Sequence, residues 1–159
     1  MVDLETVRQR LLGAWSLIAW QVATDGDGEP SLPFGADAIG LLLYTGDGWM
    51  SASIARSSRA ALSAASIRRV PLAEQGAAFE SYFNYGGAFT LREIDGAAHV
   101  VHEVSFSLNP GFVGTGQIRR IRFDGSDRLT LSADEPVAAG MRRHRLDWRR
   151  AAPDRKSVV

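Results

Sequence analysis

Apolar and polar side chains alternate through residues 99–108: Val100, Val104, Phe106 and Leu108 share one parity, and Glu103, Ser105 and Ser107 share the other. Successive strand residues point to opposite faces, so this pattern predicts a strand with one buried face. Comparable runs at 15–22, 39–45, 49–56, 85–94, 117–123, 128–132 and 144–149 bring the expected strands to about eight. Between many of them stand Asp25-Gly26-Asp27-Gly28, Gly46-Asp47-Gly48, Asp95-Gly96 and Asp124-Gly125, residues that tolerate the positive φ of tight hairpins. Short connections of this kind make neighbouring strands antiparallel. An open sheet of that size exposes two edges, whereas a closed barrel of about eight strands has none and holds one small ligand. The expected fold class is therefore all-β, a closed antiparallel barrel of about eight strands.

Two stretches depart from the strand pattern. Residues 3–12 put Leu4, Val7 and Leu11 on one helical face behind Asp3, a good N-cap residue, with Gly13 as the stop. Residues 57–83 are too many for a hairpin; Pro71 suits a helix start, and Leu72, Phe79 and Phe83 suit its apolar face. Excursions of this length serve as lids, and the part rich in Ser, Ala and Arg, 57–66, is the expected mobile portion. No repeat or linker divides the chain, which gives one domain over 1–150 and a flexible tail at 151–159.

Strand parity also names an interior. Met50, Ala52 and Ile54 face inward on their strand, Phe89 and Leu91 on theirs with Tyr85, and Leu146 and Trp148 on theirs with His144. His102 shares the face of Val104 and Phe106, and Ile121 and Phe123 carry Gln117 and Arg119 inward with them. Both parities of 39–45 are apolar, so that strand has no legible inner face, and 15–22 is equally undecided. The lining is thus apolar, with Tyr85, His102, Gln117 and Arg119 as polar tips, which is the chemistry of a small-molecule site. Catalytic roles, if there is turnover, fall to His102 as an acid or base near neutral pH, Tyr85 as a donor to a carbonyl, and Arg119 at a developing oxyanion. Met50, Ala52, Ile54, Phe89, Val104, Phe106, Gln117 and Trp148 are the expected ligand contacts. The structural alternatives are a hydrogen-bonded core histidine, a tyrosine filling space, and an arginine neutralised by a carboxylate.

Composition narrows the function. Hydrophobic residues at 45% and charged residues at 23% exclude a disordered chain. A net charge of zero, with the pairs Arg68-Arg69, Arg119-Arg120 and Arg142-Arg143 far apart, argues against nucleic acid. The absence of cysteine removes disulfides, thiolate nucleophiles and thiolate-bound zinc. No apolar run approaches the ~20 residues of a membrane span, so no membrane partner and a cytoplasmic location are expected. All but one of the 18 basic residues are arginine and alanine is abundant, which points to a bacterial gene of high G+C content. The three histidines lack metal-ligand spacing, and Gly46-Asp47-Gly48 sits between strands with no helix to receive a pyrophosphate. No metal and no cofactor are expected. Outer faces read as charged, which disfavours a docking module, while a homodimer is kept open.

Gly13-Ala14-Trp15 behind a short helix resembles the Gly-x-Trp signature of lipocalins, whose tryptophan plugs the closed end of the barrel. In that family an arginine near the end of the barrel stacks on the ring, and Arg149 or Arg150 is its counterpart here. More specifically, the chain is similar to the bacterial and fungal lipocalin-like domain family. The matching stretches include Pro33-Phe34-Gly35, Tyr44-Thr45-Gly46-Asp47-Gly48-Trp49-Met50-Ser51-Ala52, Tyr82-Phe83-Asn84-Tyr85-Gly86-Gly87, Val101-His102-Glu103-Val104, Leu108-Asn109-Pro110 and Gly114-Thr115-Gly116-Gln117-Ile118-Arg119. They run in order from Leu11 to Arg150. The resemblance implies a lipocalin-like barrel that binds a small, largely apolar molecule. Some relatives belong to natural-product gene clusters, so it also implies a cofactor-independent cyclase or isomerase of polyketide- or terpenoid-like intermediates, with a non-catalytic hydrophobic carrier as the alternative.

Overall fold

A computed structural model describes residues 1–154. Helix α1 (Leu4–Leu11) is followed by strands β1 (Gly13–Thr24), β2 (Ile39–Tyr44) and β3 (Trp49–Ala55). Helix α2 (Leu72–Glu80) interrupts the series, which resumes with β4 (Tyr82–Ile94), β5 (Ala97–Ser107), β6 (Gly116–Asp124), β7 (Arg128–Val137) and β8 (Gly140–Arg150). Each strand pairs antiparallel with its sequence neighbours, and β8 returns to β1 to close the barrel. The hairpin chemistry is as expected: Asp95 and Gly96 both adopt positive φ, at 49° and 73°. The final strands run longer than the alternation suggests, because the β7–β8 hairpin carries Asp134, Glu135 and Pro136 at its polar end. Of the expected tail, 151–154 carries no helix or strand and the remainder lies outside the described residues.

Helix α1 closes one end of the barrel. Asp3 accepts from the Thr6 amide at 3.2 Å as its N-cap, and Leu11 is fully buried. Beneath it Trp15 is also fully buried and donates its indole N–H to the Leu11 carbonyl at 2.9 Å. The arginine over this ring is Arg150, its guanidinium 4.1 Å from the ring centre and donating to the Leu12 and Arg10 carbonyls at 2.8 and 2.6 Å. One side chain thus ties the last strand to the end of α1.

Two irregularities reverse strand parity and correct the simple alternation. Between Leu17 and Ala19 the β1–β8 register shifts by one residue, so Trp15 and Leu17 pack with the core below it and Trp20 joins them above it. On β5 the register with β4 shifts across Gly86 and Gly87, with Ser105 as the extra residue. Phe106, expected inside, therefore stands 53% exposed on the outer surface, where its ring covers Gly86. A methyl group on Gly86 would lie 2.3 Å from that ring, and one on Gly87 would lie 1.9 Å from the Glu103 carbonyl. The glycine pair permits the bulge.

Helix α2 begins after Pro71, as expected, but its apolar face differs from the one read off the sequence. Leu72 is 82% exposed, and Phe83 belongs to β4 rather than to the helix. The outer face is also less charged than expected. Ile39, Leu41, Leu43 and Trp49 are exposed on β2 and β3, and the register aligns Leu43, Ser51, Gly86 and Phe106 across four strands. Among the described residues no helix is long and apolar enough to cross a membrane.

Candidate ligand-binding cavity

Opposite the end sealed by α1 and Trp15, the barrel interior widens into a cavity of about 560 Å³. That volume suits a molecule of drug-like size. Its wall is mainly aromatic: Trp20 from β1, Tyr82, Phe83 and Tyr85 from β4, Trp148 from β8, Phe34 from the β1–β2 loop, and Phe112 from a 3₁₀ turn after β5. Phe34 packs edge-on against Trp20 at 5.1 Å between ring centres, and Phe112 does the same against Phe83 at 5.7 Å. Helix α2 contributes Phe79 and Glu80. The expected lid segment thus reaches the cavity through its helix.

Of the expected site residues, Tyr85, His102 and Arg119 come together on this wall, with Ala52, Ile54 and Trp148 among its apolar members. Gln117 lies behind Arg119, its side-chain oxygen 3.4 Å from the guanidinium, and donates to Thr115 at 2.9 Å. Met50, Phe89 and Val104 are buried as expected but belong to the packed core rather than to the wall. Phe106 lies outside the barrel. His144 does reach the cavity, with its Nε2 3.3 Å from Glu135.

The centre of the polar chemistry is one residue richer than sequence parity disclosed. His102 is 1% exposed, and its two ring nitrogens are both engaged: Nδ1 with Tyr85 Oη at 2.6 Å and Nε2 with Tyr44 Oη at 2.7 Å. Tyr44 comes from β2, where Leu41, Leu42 and Leu43 hide the inner face from any parity argument. Burial pushes His102 far down, to about 3, with the positive charge of Arg119 adding to the effect. An imidazole so held is neutral at physiological pH, which favours the hydrogen-bonded core histidine over a group titrating near 7.

A neutral imidazole carries one N–H, so one tyrosine donates to it and the other accepts from it. Tyr44 is 3% exposed and has no other hydrogen-bond partner among the described residues. Giving its proton to Nε2 is the arrangement that leaves no O–H stranded in the core, where one without an acceptor costs ~1–3 kcal/mol. Nδ1–H then donates to Tyr85 Oη, which leaves the Tyr85 proton directed away from the histidine, on a residue of the cavity wall. Burial raises the pKa of both phenols, so both stay protonated, as this arrangement needs.

Arg119 supplies the charge. No carboxylate among the described residues lies within salt-bridge distance of it; its side chain donates only to the Ile118 carbonyl at 2.9 Å and, weakly, to Gln117. The indole N–H groups of Trp20 and Trp148, also wall residues, have no acceptor among the described residues. Those two N–H groups are out of reach of solvent, so they add no donor to the open wall.

A closed eight-strand barrel with one sealed end and an aromatic, donor-bearing cavity defines a small-molecule-binding barrel. The model of the lipocalin-like domain family matches residues 12–151, and the chain belongs to that family. It is 35% identical over 83 residues to the 4'-hydroxy-3'-methoxypropiophenone carrier protein ppsC of Aspergillus oryzae, a match covering 48% of this chain and 74% of that protein. Among solved structures, a redesigned β-barrel aligns with 91% of this chain and 95% of its own, at 10% identity and a TM-score of 0.41.

Proposed function

We propose that this protein binds a small, largely apolar, oxygen-bearing molecule inside its barrel and carries it without chemical change. The observation that supports this most directly is the aromatic cavity of about 560 Å³ with Tyr85 and Arg119 as donors on its wall. An aryl ketone of the size carried by the similar ppsC protein suits such a wall, with its ring among Phe83, Phe112 and Trp148 and one of its oxygens at Tyr85. The cyclase or isomerase alternative finds no base in His102, whose neutral imidazole is held near a pKa of 3 and is engaged at both nitrogens. The test incubates purified protein with an aryl ketone, measures binding by calorimetry, and recovers the ligand for mass spectrometry. Saturable binding at one site with the ligand recovered intact supports a carrier; conversion to an isomer supports catalysis instead; no binding refutes the cavity reading.

A further inference from the structure

Resting on that reading, we infer that the bound molecule is a weak oxygen acid, a phenol or enol conjugated to its apolar body, held as its anion by Arg119 and Tyr85. A half-buried guanidinium facing an apolar cavity, with no carboxylate within salt-bridge distance among the described residues, is an incomplete ion pair. Its missing partner is an anion, and the position of Arg119 on the wall lets a ligand provide it.

The neighbouring groups do not neutralise Arg119. Tyr44 on β2, Tyr85 on β4, His102 on β5 and His144 on β8 surround the interior, and Glu80 on α2 is the carboxylate of the lining. Glu80 is exposed, and no ion pair between it and Arg119 is formed. His102 cannot neutralise the site as a second cation, because it stays unprotonated, nor can it accept a ligand proton while both nitrogens are engaged. Its effect is to fix Tyr85 as a donor: the Tyr44 proton occupies Nε2, Nδ1–H points at Tyr85 Oη, and Tyr85 has only a proton to offer.

A carboxylate concentrates its charge on two oxygens and needs several hydrogen bonds to leave water; Arg119 and Tyr85 supply a few of them, and the Trp20 and Trp148 indole N–H groups are buried out of solvent's reach. A phenolate or enolate conjugated to a carbonyl spreads its charge over an apolar frame and is less costly to bury. Such an acid also gives up its proton more readily than an isolated phenol, so a single cation is enough to shift it.

The experiment uses the full chain with 4'-hydroxypropiophenone and its 4'-methoxy ether, two molecules of one shape of which only the first ionises. Absorbance should show the phenolate band of bound 4'-hydroxypropiophenone at a pH where the free compound is neutral, with its apparent pKa lowered by about one unit or more. Arg119→Met should abolish that shift and weaken binding of the phenol about tenfold, while the affinity for the methoxy ether changes little. The absorbance shift in the unsubstituted protein needs no variant, so it stands even if Arg119→Met folds poorly. Binding of the phenol without ionisation, equal loss of both ligands in Arg119→Met, or tighter binding of a matched aryl carboxylate would overturn the inference and leave the carrier reading in place. Failure of both compounds to bind would overturn the carrier reading itself.

Discussion

Replacing His102 by phenylalanine keeps the ring in the barrel and removes both hydrogen bonds that join β2, β4 and β5 through it. The two stranded hydroxyls are not equivalent. Tyr85 lies on the cavity wall, where solvent or ligand can satisfy it, but Tyr44 is 3% exposed with no alternative partner among the described residues. Stranding the Tyr44 hydroxyl should cost about 1–3 kcal/mol, partly offset because phenylalanine has no polar atoms to desolvate. For a domain of this size that lowers Tm by about 3–10 °C. The decisive measurement is a cycle with Tyr44→Phe, followed by urea or thermal unfolding. Removing both partners leaves neither group stranded, so the double variant should be more stable than the sum of the singles predicts, by about 1–2 kcal/mol. Additive losses would show that the Tyr44–His102 bond contributes nothing and that the tautomer assigned from it is wrong.

The same histidine governs acid stability: its pKa falls from 6.5 to about 3 on folding, so between those values only the unfolded chain takes the proton. Stability from this group is complete above about pH 6.5 and declines on acidification by up to about 1.4 kcal/mol per pH unit, so urea midpoints should fall less steeply from pH 6.5 to 5 in His102→Phe; parallel curves would refute this. Gly87→Ala forces a methyl group onto the Glu103 carbonyl and should destabilise by ~3 kcal/mol or more, whereas Phe106→Ala on the exposed side should cost under ~1 kcal/mol, both read by thermal unfolding. Arg150→Met removes the stacking on Trp15 and two carbonyl contacts, and a loss of about 2 kcal/mol is expected by denaturant titration. The exposed row of Leu43, Trp49 and Phe106 makes a homodimer testable by mass photometry: Leu43→Glu should convert dimers to monomers if that face pairs, and should change nothing if it does not.

How far the alternation of the chain carried the fold depended on whether each strand kept its parity. On β3, β6 and the second half of β8 it did, and Ala52, Ile54, Arg119 and Trp148 lie on the cavity wall as parity predicts. On β5 it held through Val104 and then failed at the bulge, since one extra residue reverses every side chain beyond it. The signal was present in Gly86-Gly87, but a glycine pair does not say which partner strand carries the extra residue or where. On β2 no amount of care would have found Tyr44, because three consecutive leucines are apolar on both faces. That strand is exposed outside as well as buried inside, and the second apolar face erased the contrast that parity depends on. Phe34 and Phe112 were beyond reach for another reason: they enter the cavity from a loop and a 3₁₀ turn, where the backbone has no period to project. The consequence for the site is specific. Sequence located Tyr85, Arg119 and the histidine behind them, and left that histidine between a titrating base and a hydrogen-bonded core residue. The second tyrosine favours the core residue. With Nε2 taken by a proton from a buried phenol, His102 has no lone pair left for a ligand, and its effect on the cavity passes through the direction in which Tyr85 points its hydroxyl.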